Sequence, residues 1–303
     1  MTSIGPSANH HIGVSALLST LRTTDASEPQ SHGYFQAIVP LSLETGRITA
    51  REPFSISAPP QLSNMMPLPT SLERGMIFES GAGGLWFVPK GGAVATQPQY
   101  DNDGGAVGIN GLFNAHDGVL GWATRAGYPV LYFDDQGTWD WMIWPGDGAV
   151  VRAFAWDAEN DQLVWTEFTP LGDDPGQTLH VRLYTAPWSR HRASDQRTLR
   201  GEFEDTMGVT RYGGNLVAAD GYAATIVNPL EVLVVELATG RTTTIRAGAH
   251  EFFYAALTVD RHEVWIRTAP EGAIKANWNK RFSLVDAFRP RPAAPKDDGG
   301  TNR

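Results

Sequence analysis

The chain has 303 residues, 42% of them hydrophobic, with 32 Gly, 20 Pro, 10 Trp and a formal net charge of −9. Such an acidic balance excludes a broad phosphate-binding face, which needs clustered Lys and Arg, and lysine is confined to Lys90, Lys275, Lys280 and Lys296. There is no Cys, so disulfides, thiolate metal sites and a cysteine nucleophile are excluded too.

Turn formers and aromatic residues together favour many short strands over long helices in a soluble globular chain. No apolar run approaches the roughly 20 residues of a spanning helix, so no membrane span is expected. Val14 to Leu21 is the nearest to an early apolar segment. Ser and Thr interrupt it and no basic stretch precedes it, so no signal peptide is expected. The compartment stays open, cytoplasmic or extracytoplasmic after processing.

In chain order, a hairpin recurs. Leu43, Thr45, Gly46, Arg47 and Thr49 form a turn whose pattern returns at Leu237, Thr239, Gly240, Arg241 and Thr243. Comparable strand–turn–strand points fall at Lys90–Gly92, Asp135–Gly137, Trp188–Arg190 and Asn279–Arg281. A spacing of roughly 40–50 residues is that of four-stranded propeller blades. A second hairpin precedes each, near His11, Glu73, His116, Glu159, Tyr212 and Asp260. The expected fold is all-β: one β-propeller of six blades, each of about four antiparallel strands. The blades are placed at about 1–57, 62–100, 107–145, 149–203, 205–248 and 249–288, the last without an obvious fourth strand. Residues 289–303, rich in Pro, Asp and Gly, are expected to be a disordered tail.

Blade length, blade number and hairpin spacing resemble the TolB-like six-bladed β-propellers up to about Phe288. The Ser-Pro-Asp-Gly turns common in that family are absent. The resemblance implies a ring of blades around an axial channel. It implies no reaction, because propellers serve as enzymes, binding modules and scaffolds.

In such a fold the loops between blades share a face with those joining second and third strands. Here these include residues 23–33, 100–110, 170–177, 220–229 and 269–279, and long loops on a rigid scaffold are where function concentrates. Asp101 and Asp103, spaced by Asn102 and followed by Gly104 and Gly105, suit an oxygen-ligated cation such as calcium. The alternative is a Gly-rich turn with solvated carboxylates. Asp173 to Gly176 reads as ordinary turn chemistry.

His250 and Glu251 open the first strand of the last blade, Asp205 opens the fifth, and Arg152 lies on the first strand of the fourth. A His beside carboxylates can act as a general base, so His250, Glu251 and Asp205 are the catalytic candidates. Arg152 is a ligand-binding candidate, and so is Trp278, an aromatic in a polar loop. His11, His116 and His262 sit on peripheral tight turns and read as solvated. Phe133 to Trp139 resembles the Asp-box of sialidase-type propellers with one residue missing, and reads as a turn with a core Trp. Trp139 and Trp141 share a strand face opposite Trp144, and read as packing between blades.

No Gly-x-Ser-x-Gly, Walker loop, His-Glu-x-x-His or Rossmann fingerprint occurs. Two functions remain. One is a binding or scaffold propeller that holds a protein segment or small polar ligand at the channel mouth. The other is a propeller hydrolase or lyase using His250 and carboxylates, with or without a divalent cation.

Overall fold

The computed structural model describes residues 2–6, 11–18, 33–40, 54–57, 66–67, 74–79, 85–89, 109–116, 118–123, 127–134, 138–169, 178–189, 191–205, 216–270 and 278–288. Nearly all regular structure among them is antiparallel strand, and each sheet is a meander of consecutive strands. Sheet 1 holds β1 (Thr2–Pro6), β2 (His11–Leu18), β3 (Gly33–Pro40) and β4 (Phe54–Ser57). Sheet 2 holds β5 (Met66–Pro67), β6 (Gly75–Glu79) and β7 (Leu85–Pro89). Sheet 3 holds β8 (Ile109–Ala115), β9 (Gly118–Ala123), β10 (Val130–Asp134) and β11 (Trp139–Ile143).

Sheet 4 holds β12 (Val150–Asp157), β13 (Gln162–Phe168), β14 (Leu179–Pro187) and β15 (Thr198–Asp205). Sheet 5 holds β16 (Leu216–Ala219), β17 (Tyr222–Asn228), β18 (Glu231–Glu236) and β19 (Thr242–Arg246). Sheet 6 holds β20 (Glu251–Val259), β21 (Glu263–Pro270) and β22 (Trp278–Ser283), followed by the single-turn helix α1 (Leu284–Ala287).

The apolar residues explain how these sheets stack. Side chains alternate across a strand, so a strand between two sheets must be apolar on both faces. On β12, bulky Phe154 and Trp156 join Tyr132, Met142 and Ile143 of sheet 3. The small residues between them, Ala153 and Ala155, join Ala223, Leu233 and Val235 of sheet 5. On β17, Ala223 turns to sheet 4, while Ala224 and Ile226 pack with Phe253, Val264 and Ile266 of sheet 6. Ile77 and Phe87 of sheet 2 pack with Leu131, Phe133 and Trp141 of sheet 3. Every one of these clusters belongs to two neighbouring sheets at once. Meander sheets stacked face to face in chain order make this a β-propeller.

Two glycines mark where strands come closest. A Cβ at Gly118 would lie 2.2 Å from the Phe133 carbonyl oxygen and 2.7 Å from the Tyr132 ring. At the matching start of β6, a Cβ at Gly75 would lie 2.4 Å from the Val88 carbonyl oxygen and 2.5 Å from the Phe87 ring. In both sheets an aromatic ring from the third strand covers the first residue of the second, which only Gly allows.

Several expected boundaries move. Residues 222–228 are strand β17, not part of a loop over 220–229, because Ala223–Val227 are buried between sheets 4 and 6. Asn279, Lys280 and Arg281 lie inside β22, paired with Arg267, Ile266 and Trp265, and form no turn. Trp278 pairs with Thr268 as the first residue of that strand and does not stand in a loop. Asp205 pairs with Leu179 and ends β15, so it closes sheet 4 instead of opening sheet 5. Among the described residues sheet 6 has three strands, and no helix is long and apolar enough to cross a membrane.

A candidate binding cleft on the crossing face

Topology gives the propeller two unlike faces. Turns joining first to second and third to fourth strands share one of them, here the hairpin face. Turns joining second to third strands, and the crossings from one sheet to the next, share the other, the crossing face.

The hairpin face is closed by polar links between successive sheets. His116, in the β8–β9 turn, bonds through Nε2 to Asp161 Oδ1 of the β12–β13 turn at 2.5 Å. Its ring lies between Trp156 and Trp188, with centroids 4.6 and 4.3 Å away. His191 of sheet 4 returns the link, its Nδ1 2.5 Å from Asp140 Oδ2 of sheet 3. Asp157 Oδ2 accepts from Gly221 N at 2.9 Å, tying sheet 4 to sheet 5. Asp220 Oδ2 meets Arg261 Nε at 3.3 Å and ties sheet 5 to sheet 6. His116 is thus an exposed turn residue, as its polar surroundings suggest, that also clamps two sheets together. Its partners stand 40 or more positions away, and no local pattern could reveal them.

Trp139, Trp141 and Trp144 also serve packing. Trp141 is buried and takes Trp139 and Trp144 edge-on at 5.8 and 5.3 Å. Trp144 lies past the end of β11, which frees it from the alternation expected to send it to the opposite face. Asp134 is the buried carboxylate of the Asp-box-like turn, and its Oδ1 accepts from Thr138 N at 2.7 Å. The Thr239–Arg241 turn holds the end of sheet 6. Arg241 Nη2 donates to the Phe288 carbonyl at 3.1 Å, and its guanidinium lies 5.3 Å from the Phe288 ring centroid.

The crossing face carries a cleft of about 730 Å³ that opens broadly to solvent. One wall is the β17–β18 turn, Asn228 to Glu231, and the other is the crossing from β19 to β20 with Phe252. Two backbone bonds hold the walls together: Ala247 N to Leu230 O at 2.8 Å, and Phe253 N to Pro229 O at 2.7 Å. Asn228 Oδ1 accepts from Leu230 N at 2.8 Å and fixes the turn, while Leu230 itself stands half exposed. The lining is predominantly apolar, from Pro229, Leu230, Ala247, Ala249 and Phe252. Around the rim, Glu231 accepts from Asn228 Nδ2 at 2.8 Å and from Arg246 Nε at 3.0 Å.

His250 lines this cleft. It is exposed, ends the crossing ahead of β20, and has φ 61°, a left-handed conformation that non-glycine residues adopt sparingly. Glu251, the next residue, is buried and bonded to Lys280 Nζ at 2.6 Å. Burial pushes its carboxyl upward. The Lys280 bond and charge, with bonding from Thr268 and Gly248, outweigh that, and the net shift is downward. Arg152 and Asp205 are brought together elsewhere, as a buried ion pair inside sheet 4. Desolvation lowers the Arg152 guanidinium to about 10, so it stays charged at neutral pH.

A second, smaller hollow of about 160 Å³ lies on sheet 4 between Ala149, Glu167, Phe168, Thr169, His180 and Arg182. Glu167 is buried there, accepting from Trp165 Nε1 at 2.7 Å and Gly146 N at 3.3 Å. Nothing in the sequence marks it, because a Glu inside a Trp-rich strand announces no partner. Asp101 and Asp103 lie outside the described residues, as does the side chain of Trp278. Among the described residues no group of three His, Asp or Glu is placed to hold a metal ion.

No protein-family model matches the chain, and no curated protein matches it. Among solved structures, Sqt1 of Saccharomyces cerevisiae is similar over 89% of this chain and 78% of its own, at 10% identity and a TM-score of 0.41. A structure of YCF48 bound to D1 peptide is similar over 92% and 78%, at 11% identity and a TM-score of 0.39.

Proposed function

We propose that the chain is a binding or scaffold β-propeller, of the TolB-like kind in blade length, that holds a protein segment or small polar ligand on its crossing face. The observation that supports this most is how the candidate carboxylates are used. Asp205 is committed to Arg152 and Glu251 to Lys280. A general acid or base must instead reach the proton that it moves. The wide cleft described on this face has an apolar lining and a rim whose carboxylate, Glu231, already faces Arg246. Such a lining suits contact better than proton transfer, which favours binding over the hydrolase or lyase alternative.

Panning a phage-displayed library of random 12-residue peptides against the intact chain tests this reading. The expected result is enrichment of a family of related sequences over a serum albumin control. No enrichment, together with hydrolysis of an ester or glycoside panel that is lost in His250→Ala, would overturn it.

A further inference from the structure

The cleft between the β17–β18 turn and the β19–β20 crossing narrows that reading to one kind of occupant. We infer that it takes an extended protein segment through two or three uncharged apolar side chains. The inference rests on the proposed binding function and adds the site and the chemistry that it selects.

Charge comes first. The cationic rim residue Arg246 is 3.0 Å from Glu231, and Lys280, just behind the crossing, is 2.6 Å from Glu251. Both of these cations have their opposite beside them, so an anionic ligand would lose hydration and meet neither Arg246 nor Lys280 uncompensated. Apolar side chains lose nothing of that kind. They gain by covering Leu230, which is 50% exposed, and the half-buried Phe252.

Shape decides between a small molecule and a chain. Small-molecule sites enclose most of their ligand's surface. This cleft is large, about 730 Å³, and opens broadly to solvent, so a small molecule in it would keep part of its surface in water. A polypeptide laid across it tolerates that arrangement, because its outward backbone groups stay hydrated while alternate side chains point inward. The walls are also fixed. The bonds from Ala247 N to Leu230 O and from Phe253 N to Pro229 O join turn and crossing into one ledge, so little order has to be gained on binding.

The test uses the intact chain and the same random 12-residue phage library, panned in parallel on wild type, Leu230→Glu and Leu199→Glu. Leu199 is 47% exposed on β15, away from the cleft, and serves as the control for an added surface charge. Selected sequences are expected to carry at least two aliphatic or aromatic residues within about four positions. Synthetic versions should bind Leu230→Glu at least 10-fold more weakly than wild type, and Leu199→Glu unchanged. Ala249→Lys, at another exposed lining position, should reproduce the loss. Peptides that bind through Asp, Glu, Lys or Arg would overturn the inference. So would apolar peptides indifferent to both cleft substitutions, although the binding function would then stand. If no peptide is enriched on any of the three proteins, the inference falls, and the binding function falls with it only if the hydrolysis panel is also positive.

Discussion

Replacing Asp205 with Leu leaves Arg152 buried and charged without its partner. Arg152 has 8% of its side chain exposed and Asp205 none. Removing one member of such a pair costs about 3–5 kcal/mol, because the remaining charge keeps its desolvation penalty and loses the attraction that offset it. At roughly 2–4 °C per kcal/mol for a chain near this size, the melting temperature should fall by about 6–20 °C. Arg152→Met should cost a similar amount, since it strands a fully buried carboxylate.

The double replacement is expected to behave differently. Burial lowers the Arg152 guanidinium to about 10, which marks the desolvation that a buried pair carries and that apolar replacements do not. Arg152→Met with Asp205→Leu should therefore lie within about 1 kcal/mol of wild type, or above it. The assay is urea unfolding of the four proteins, followed by tryptophan fluorescence and combined as a double-mutant cycle. If Asp205→Leu costs less than about 1 kcal/mol, or if the two single losses simply add, the pair is not the structural element described. Loss of ligand binding at unchanged stability would instead return both residues to a functional role.

Glu251 supplies a pH-dependent prediction. Its folded carboxyl lies below the ordinary value of 4.5, so it contributes stability that is present above that value and lost as pH falls through the lowered one. Glu251→Gln should unfold at lower urea than wild type at pH 7, with the gap closing below about pH 4.5; a gap that widens in acid would contradict this. His116→Ala should cost roughly 1–3 kcal/mol from the lost ring contacts and the Asp161 bond, measured by chemical denaturation. His116→Phe should recover part of that loss by restoring the contacts with Trp156 and Trp188, and failure to recover any would mean that the rings contribute nothing.

The all-β class was legible because two signals are local. Turn chemistry at Thr239–Arg241 and apolar content along Leu163–Phe168 both depend only on neighbours in sequence. The first marks the outer hairpin of sheet 5, and the second a strand buried on both faces. The expected loop over residues 220–229 failed for a related reason. In sequence Asp220 and Gly221 look like the start of a loop, but they are a tight turn, and Tyr222 is already strand.

Pairings between distant strands were not legible. Arg152 and Asp205 are 53 residues apart, and His116 and Asp161 are 45 apart. No periodicity links them, since the first pair meets only once sheet 4 is complete and the second only once sheets 3 and 4 pack. His250 was marked by its place at a strand start. The apolar cleft beside it was not, because Leu230 and Ala249 carry no signature until the turn and the crossing meet. Trp278 and the Asn279–Arg281 stretch looked like loop from their polar neighbours, whereas pairing with β21 makes them strand.

The sharing of one apolar cluster between sheets 4 and 5 makes the chain indivisible there in a particular sense. Cut between sheets 4 and 5, it would not give two smaller folded pieces. Each would carry half of one interior, with Ala153, Ala155, Val164 and Leu183 bared on one side and Ala223, Leu233 and Val235 on the other. Those newly bared faces are mutually complementary, so the fragments should seek each other before any outside partner. Expressed separately, the two pieces are natural halves of a split protein, soluble together and sticky apart.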